Sequence, residues 1–215
     1  MSFPHSRLRR LRQSSEMLSL TSETRLSVED FVYPMFVIHG HGKKIPIEPM
    51  PGIYQLSVDM LAEEIKEVTS LGIRSVLLFG IPETKDATGS GGIDTNGVIQ
   101  VAIREIKTLD PNLIVMTDVC LCDYTDHGHC GIIKGSNIDN DATLPLLQEM
   151  AVSHAQNGAD VVAPSAMMDG QVGAIRSSLD SAGKKDTVIM GLSLIHISEP
   201  TRPRLSSYAV FCLKK

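Results

Sequence analysis

Residues 75–116, SVLLFGIPETKDATGSGGIDTNGVIQVAIREIKTLDPNLIVM, decide the fold. They open on a short apolar run, Ser75–Phe79, and pass through a loop with four glycines, Gly80 to Gly92. Ile99, Ile103 and Ile106 then recur at helical spacing, and that segment stops before Asp110-Pro111, where proline disfavours the α conformation of its predecessor. A second apolar run, Leu113–Met116, closes the unit. Buried strand, helix and buried strand in this order predict a parallel pair with its crossover helix.

The same beat extends outward in both directions. Upstream, Phe31–Ile38 is apolar enough for a strand, made irregular by Pro34. A Pro/Gly-rich loop from Gly40 to Gly52 follows it. Ser57 can cap a helix carrying Leu61, Ile65, Val68 and Leu71, which Gly72 ends. Downstream, a long loop starts at Asp118, a helix runs from Asn140 to Asn157-Gly158, and Asp160–Ala163 reads as a strand. A helix from Asp169 to Ala182 and a strand at Thr187–Met190 complete four βα units and a lone strand. An open doubly wound sheet and a (β/α)8 barrel both fit this order. No Gly-rich phosphate fingerprint follows the first strand, which counts against dinucleotide binding. As a barrel, residues 31–191 supply barely half of a closed domain of about 250 residues.

Bulk properties narrow the function classes. A hydrophobic fraction of 42%, a charged fraction of 21% and a net charge of −5 describe an ordinary globular protein without a global basic field. Residues 1–30 are polar and aperiodic, and their cluster Arg7, Arg9, Arg10 and Arg12 has no interleaved aromatics. That favours a solvated or subunit-contacting arm over a nucleic-acid patch. No apolar run reaches the roughly 18 residues of a membrane span, and no signal-peptide core opens the chain, so the expected location is cytoplasmic. The four cysteines then read as reduced thiols or metal ligands. Residues 192–215, LSLIHISEPTRPRLSSYAVFCLKK, break the alternation, and residues 192–202 read like a translated sequencing-library adaptor. The expectation is a non-native tail in place of the true continuation; a divergent natural tail is the alternative.

Chemistry concentrates in Asp118–Cys130, DVCLCDYTDHGHC, immediately after a buried strand. Cys120, Cys122 and Cys130 stand at C-x-C-x7-C spacing with His127 and His129 alongside. Thiolate and imidazole at this density suit Zn²⁺, and three protein ligands leave a fourth position open, as in catalytic sites. Free cysteines, a redox pair, or a closed structural site using one histidine are the other readings. In C-x-C both thiols reach one ion only if the backbone turns, which Gly128 and Gly131 help permit. Asp118, at a strand end, can serve proton transfer, substrate binding or a plain turn. Ser165 holds the equivalent place after the fourth strand and can equally be a cap. His39, His41 and His154 are weaker, His154 being packed or solvated within a helix; Met167-Met168 suits core packing. Gly89, Gly91 and Gly92 suggest a flexible loop.

Eight ordered segments carry a resemblance: RLRRLR, ETRLSVEDFVYPMFV, PIEPMPGIYQLSVDML, LGIRSVLLFGIPETKD, TDVCLCDYTDHGHCG, DNDATLPLL, VSHAQNGADVVAPSAMMDGQVGAIR and DTVIM. Over residues 7–191 the chain is similar to the zinc-type porphobilinogen synthases (5-aminolevulinate dehydratases). The resemblance implies a TIM (β/α)8 barrel, here its first four and a half units, with an N-terminal arm that embraces a neighbour, usually in a homo-octamer. It implies a hydro-lyase that condenses two 5-aminolevulinate molecules to porphobilinogen in tetrapyrrole (haem) synthesis. It further implies Zn²⁺ on Cys120, Cys122 and Cys130 as Lewis acid, Asp118 and Ser165 beside the substrates, and an allosteric Mg²⁺.

Two departures accompany it. The family more often has aspartate and arginine where Ala166 and Gln171 stand. Its two Schiff-base lysines, the first in a Tyr-Ser-Ala-Lys segment after the fifth strand, have no counterpart here. Lys184, Lys185, Lys214 and Lys215 are misplaced for that role. On the sequence, then, this chain is expected to be inactive alone. The alternative is a non-catalytic zinc-binding fragment that assembles with a full-length partner. A different Schiff-base or zinc aldolase on the same barrel would lack the cysteine segment.

Overall fold

The computed structural model describes residues 3–192. The expectation about the tail therefore falls, from residue 193 on, outside the described residues. A single 3-10 turn, Leu8–Arg12, precedes the short helix α1 (Ser15–Leu20), whose first turn is capped by Ser14 Oγ accepting from the Met17 amide at 3.2 Å. Neither element buries a side chain. The remaining chain runs β1 (Tyr33–Ile38), β2 (Lys44–Pro46), β3 (Tyr54–Ser57), α2 (Leu61–Ser70), β4 (Ser75–Ile81) and α3 (Val98–Leu109). It continues through β5 (Ile114–Val119), β6 (Ile132–Lys134), β7 (Asn137–Asp139), α4 (Asn140–Gln156), β8 (Val161–Pro164), α5 (Gln171–Ser181) and β9 (Val188–Ile189).

The main sheet has the order β2-β3-β1-β4-β5-β8-β9. From β1 to β9 every pairing is parallel and each new strand joins on the same side. A doubly wound sheet reverses direction at a switch point; this one does not. Steady winding with crossovers of one hand puts the helices on one face and curls the sheet, as in a (β/α)8 barrel. The described residues form the first part of such a barrel. β5 runs on to Val119, so Asp118 lies within the strand rather than at the start of a loop.

The region from Gly40 to Ser57 departs from expectation. β3 pairs in parallel with the outer edge of β1, Phe36 opposite Gln55, and β2 pairs antiparallel with β3. Ser57 heads a 3-10 turn, Val58–Met60, but its side chain does not cap it. Its hydroxyl accepts instead from the Lys43 amide at 2.9 Å, pinning the β1–β2 loop. A second short pairing, β6 with β7, also appears in what the sequence suggested was plain loop.

Alternation along the strands divides the sheet. Met35, Val37, Val76, Leu78 and Val115 face the helices and close a core with Ile65, Ile99, Ile103 and Ile106. On the opposite face Phe36 stacks on its register partner Phe79 at 5.3 Å, and Asp118 lies opposite Ala163. Burial of each core isoleucine contributes about 1.5–3 kcal/mol. At the strands' N-terminal end Lys107 Nζ donates to Asp160 Oδ2 at 2.6 Å and to the Leu113 carbonyl at 2.8 Å, while the Val115 amide donates to the same carboxylate at 2.8 Å. This knot fixes where α3 ends and where β5 and β8 begin.

His154 of α4 is packed, fully buried, with Nδ1 3.0 Å from Thr117 Oγ1 on β5. Its Nε2 is buried without a partner among the described residues, and burial pushes the imidazole pKa down to about 3. An unfolded chain protonates its histidines near pH 6.5. The stability that neutral His154 allows is therefore complete above that pH and declines as pH falls toward 3, by up to about 1.4 kcal/mol per unit. His154→Leu should flatten this part of the profile while weakening the fold at neutral pH, where Thr117 loses its partner. Thermal unfolding of both proteins between pH 4 and about 7 checks it; parallel curves would count against this origin.

Candidate metal centre

Where β5 ends, the chain turns back on Leu121, whose carbonyl accepts from the amides of Tyr124 and Thr125, both at 2.9 Å. The turn brings Cys122 Sγ to 3.3 Å from Cys120 Sγ. Gly128, in the left-handed region at φ +70°, reverses the chain again, and Thr125 Oγ1 donates to the His129 carbonyl at 2.9 Å. Cys130 thereby returns to the first two cysteines, and all three sulfurs lie within 4.8 Å of one another. Gly131 follows because a Cβ there would come within 2.6 Å of Ile138 and Thr143.

These distances suit a metal. Sulfurs on a tetrahedral zinc ion, with Zn–S near 2.3 Å, sit roughly 3.8 Å apart, so small side-chain shifts close the site. Hydrogen bonding from the other two thiols holds Cys130 far below the usual thiol range, and the same bonds, with burial, push Cys120 up. Among the described residues no histidine nitrogen joins the sulfur group. His127 Nδ1 accepts from the His129 amide at 3.1 Å, which puts the ring proton on Nε2, 3.4 Å from the Ala87 carbonyl. His39 and His41 pair instead with Glu83 and Asp59 at the surface.

Beside Cys120 stands the pair Asp118–Ser165, Asp118 two residues earlier on β5 and Ser165 across the β5–β8 ladder. The β5–β8 register continues through the Ser165 amide, which donates to the Val119 carbonyl, and Ser165 Oγ donates to Asp118 Oδ1 at 2.6 Å. Burial pushes the Asp118 carboxyl up to about 8, against the lowering effect of the serine hydrogen bond, with the charges of Asp123 and Cys122 adding to the rise. Asp123 itself is pushed up to about 7 by burial and Cys122, with Lys85 opposing. Asp123 was invisible in the sequence, where it is one more polar residue in a polar loop.

The glycine-rich loop after β4 is not the flexible segment its composition suggested. A Cβ on Gly80, still within β4, would lie 2.3 Å from the Tyr124 hydroxyl, and in the loop one on Gly92 would lie 2.3 Å from Met150 and 3.2 Å from the Tyr124 ring. These glycines make room for buried Tyr124, another residue the sequence did not single out. After β8, Ala166 is buried, while Met167 takes φ +57° and is 62% exposed, so only Met168 of that pair packs inward. Gln171 Oε1 accepts from the Met168 amide at 3.1 Å, a local tie within the loop. Lys184 and Lys185 precede β9, at the sheet end opposite the cysteines. A shallow groove of 630 Å³ between α4 and α5, lined in part by Pro145, Gln148 and Ser178, shares no residue with the thiol cluster; the donor chemistry favours the cysteines as the site.

Known proteins match this arrangement. The family model "Delta-aminolevulinic acid dehydratase" matches residues 5–203, a range that continues past Gly191. The delta-aminolevulinic acid dehydratase of Methanothermus sociabilis is 48% identical over 214 residues, covering 98% of this chain and 67% of that protein. That of Bacillus subtilis is 47% identical over 199 residues, covering 93% of this chain and 61% of its own length. A crystal structure of delta-aminolevulinic acid dehydratase (porphobilinogen synthase) from Toxoplasma gondii, in complex with the reaction product porphobilinogen, superposes with a TM-score of 0.82 at 35% identity. It aligns with 87% of this chain and 54% of its own. This chain thus spans some three-fifths of the length of such proteins, and over that span, from sequence, sheet winding and cysteine cluster alike, it belongs to the delta-aminolevulinic acid dehydratase family.

Proposed function

We propose that the chain supplies the metal-binding and proton-handling part of a porphobilinogen synthase, a hydro-lyase that joins two 5-aminolevulinate molecules with loss of water. The observation that carries this reading is the juxtaposition of three thiols within 4.8 Å with the Asp118–Ser165 pair at the C-terminal ends of adjacent strands. That end is where barrels of this kind gather their chemistry. Cys120, Cys122 and Cys130 would hold Zn²⁺, the ion that prefers soft sulfur donors in a tetrahedral shell. Bound there with one position open, it would polarise a substrate oxygen as a Lewis acid.

The chain's own residues do the rest. Asp118, raised to about 8, carries its proton at neutral pH and can give it up to a leaving oxygen. By donating to Oδ1, the Ser165 hydroxyl leaves Oδ2 as the atom that holds the proton and fixes the direction in which it is offered. The arm fits contact with a second copy, since Leu8, Leu20 and Leu26 are each at least three-quarters exposed, at 78%, 75% and 81%. Among the described residues no helix is long and apolar enough to cross a membrane.

The reading is tested by porphobilinogen formation from 5-aminolevulinate with zinc present and again after chelation. Alone the chain should take up zinc without forming the pyrrole; chelator-sensitive product from the chain by itself would overturn its expected inactivity. Replacing any one of the three cysteines with alanine should weaken zinc binding by more than about 100-fold, read by competition with a chromophoric chelator. Asp118→Asn separates chemistry from folding. The amide still accepts from Ser165 but removes a buried carboxyl, so the variant should melt at or above the parent's temperature. Placed at the matching position of a full-length family member, the same change should lower turnover by about 10²- to 10⁴-fold.

A further inference from the structure

In the motif Lys85-Asp-Ala-Thr-Gly-Ser90 of the β4–α3 loop, Asp86 has no role in the site described above. Within it the Asp86 carboxylate accepts four hydrogen bonds from the loop itself. Asp86 Oδ1 accepts from the Thr88 amide at 2.8 Å, the Thr88 hydroxyl at 2.9 Å and the Ser90 amide at 3.2 Å, and Oδ2 accepts from the Ser90 hydroxyl. The Ser90 hydroxyl bond, aided by both amides, holds this carboxyl far below the usual carboxylate range. The loop is closed by its own aspartate.

What the closed loop touches is the cysteine loop. The Asp86 amide donates to the Tyr124 carbonyl at 3.2 Å and its carbonyl accepts from the Asp126 amide at 3.0 Å, a parallel bridge between the two loops. Next to it the Ala87 carbonyl faces His127 Nε2 at 3.4 Å. Gly89, in the left-handed region at φ +68°, is buried so closely that a Cβ would sit 3.3 Å from Leu121 and Tyr124 and 3.5 Å from Thr125. Leu121, Tyr124 and Thr125 are the residues whose turn brings Cys122 to Cys120, and Thr125 also holds the stretch that returns Cys130.

We infer that Asp86 is a positioning residue for the metal centre: its carboxylate locks the β4–α3 loop into the shape on which the cysteine loop is built. It acts through Tyr124, Thr125 and His127 and touches neither metal nor substrate. The inference rests on the proposed metal reading for its purpose, and on the loop geometry alone for its structural content.

The test uses the full chain, with Co²⁺ alone as spectroscopic probe and with a coloured disulfide reagent on metal-free protein. In Asp86→Ala the Co²⁺ dissociation constant, followed by thiolate-to-cobalt absorption, should rise about 10- to 100-fold. Cys122 and Cys130 should react several-fold faster in the metal-free variant. Asp86→Asn, which keeps an acceptor for the two amides, should fall between it and the parent. Should Asp86→Ala fail to fold, the double variant Thr88→Val, Ser90→Ala decides, since it removes both hydroxyl donors and keeps the carboxylate. Ile103→Val loosens the core far from both loops and should leave both readouts unchanged. Unaltered thiol rates and Co²⁺ affinity on removal of the carboxylate, or equal changes in Ile103→Val, overturn the inference. Failure of the parent to bind Co²⁺ overturns the metal reading instead, while the thiol rates still judge Asp86.

Discussion

The parallel ladder between β5 and β8 is the constraint on which the site depends. With Asp118 set opposite Ala163, the residue two positions beyond Ala163 must lie beside the carboxylate, and that residue is Ser165. The same ladder fixes the height at which β5 stops, hence where Cys120 begins its turn. A one-residue slip would send Asp118 to the helix face and Thr117 to the concave one. The slip is opposed at both ends. At the strands' start the Asp160 carboxylate takes the Val115 amide and the Lys107 ammonium; midway, Thr117 meets His154.

Polar groups within the sheet follow from this division of labour. Thr117 and Asp118 are neighbours on one strand with opposite environments: one is buried against a helix with a neutral imidazole, the other faces the concave side with a serine. Each pair contains one ionisable group held neutral by burial, His154 in the first and Asp118 in the second, and both arrangements cost stability somewhere on the pH scale. For His154 the cost falls in acid and the fold gains nothing chemical from it. For Asp118 it falls at neutral pH and yields a carboxyl that keeps a proton where an ordinary aspartate has none.

The parts legible in the sequence were those with a local signal. The runs Val76–Phe79 and Leu113–Met116 are apolar on both faces, α3 repeats isoleucine at helical spacing, and three thiols within one short loop have few uses. β3 was missed because Tyr-Gln-Leu-Ser is short and half polar; only the open edge of β1 makes it a strand. Whether the sheet wound steadily or reversed could not be read from alternation, because both give the same order of elements. Tyr124, Asp123 and Asp86 were missed for a related reason. Their roles come from two loops, distant along the chain, that the β4–β5 pairing sets side by side. The glycines that admit Tyr124 were visible, but a glycine needed for close approach and one needed for freedom look alike in one dimension.

β3 has a further consequence for how this sheet can close. It pairs with β1 only at Phe36, Val37 and Ile38, the half nearest the site. Along Tyr33, Pro34 and Met35 the same edge carries no β3 partner, and proline there supplies no amide. A strand arriving to shut the barrel from that side meets a doorway already half filled. On β1 only the N-terminal stretch, Tyr33 to Met35, is left for it beside β3. That edge of the sheet is thus unpaired by β3 along its base and taken up by β3 toward the end that carries the cysteines.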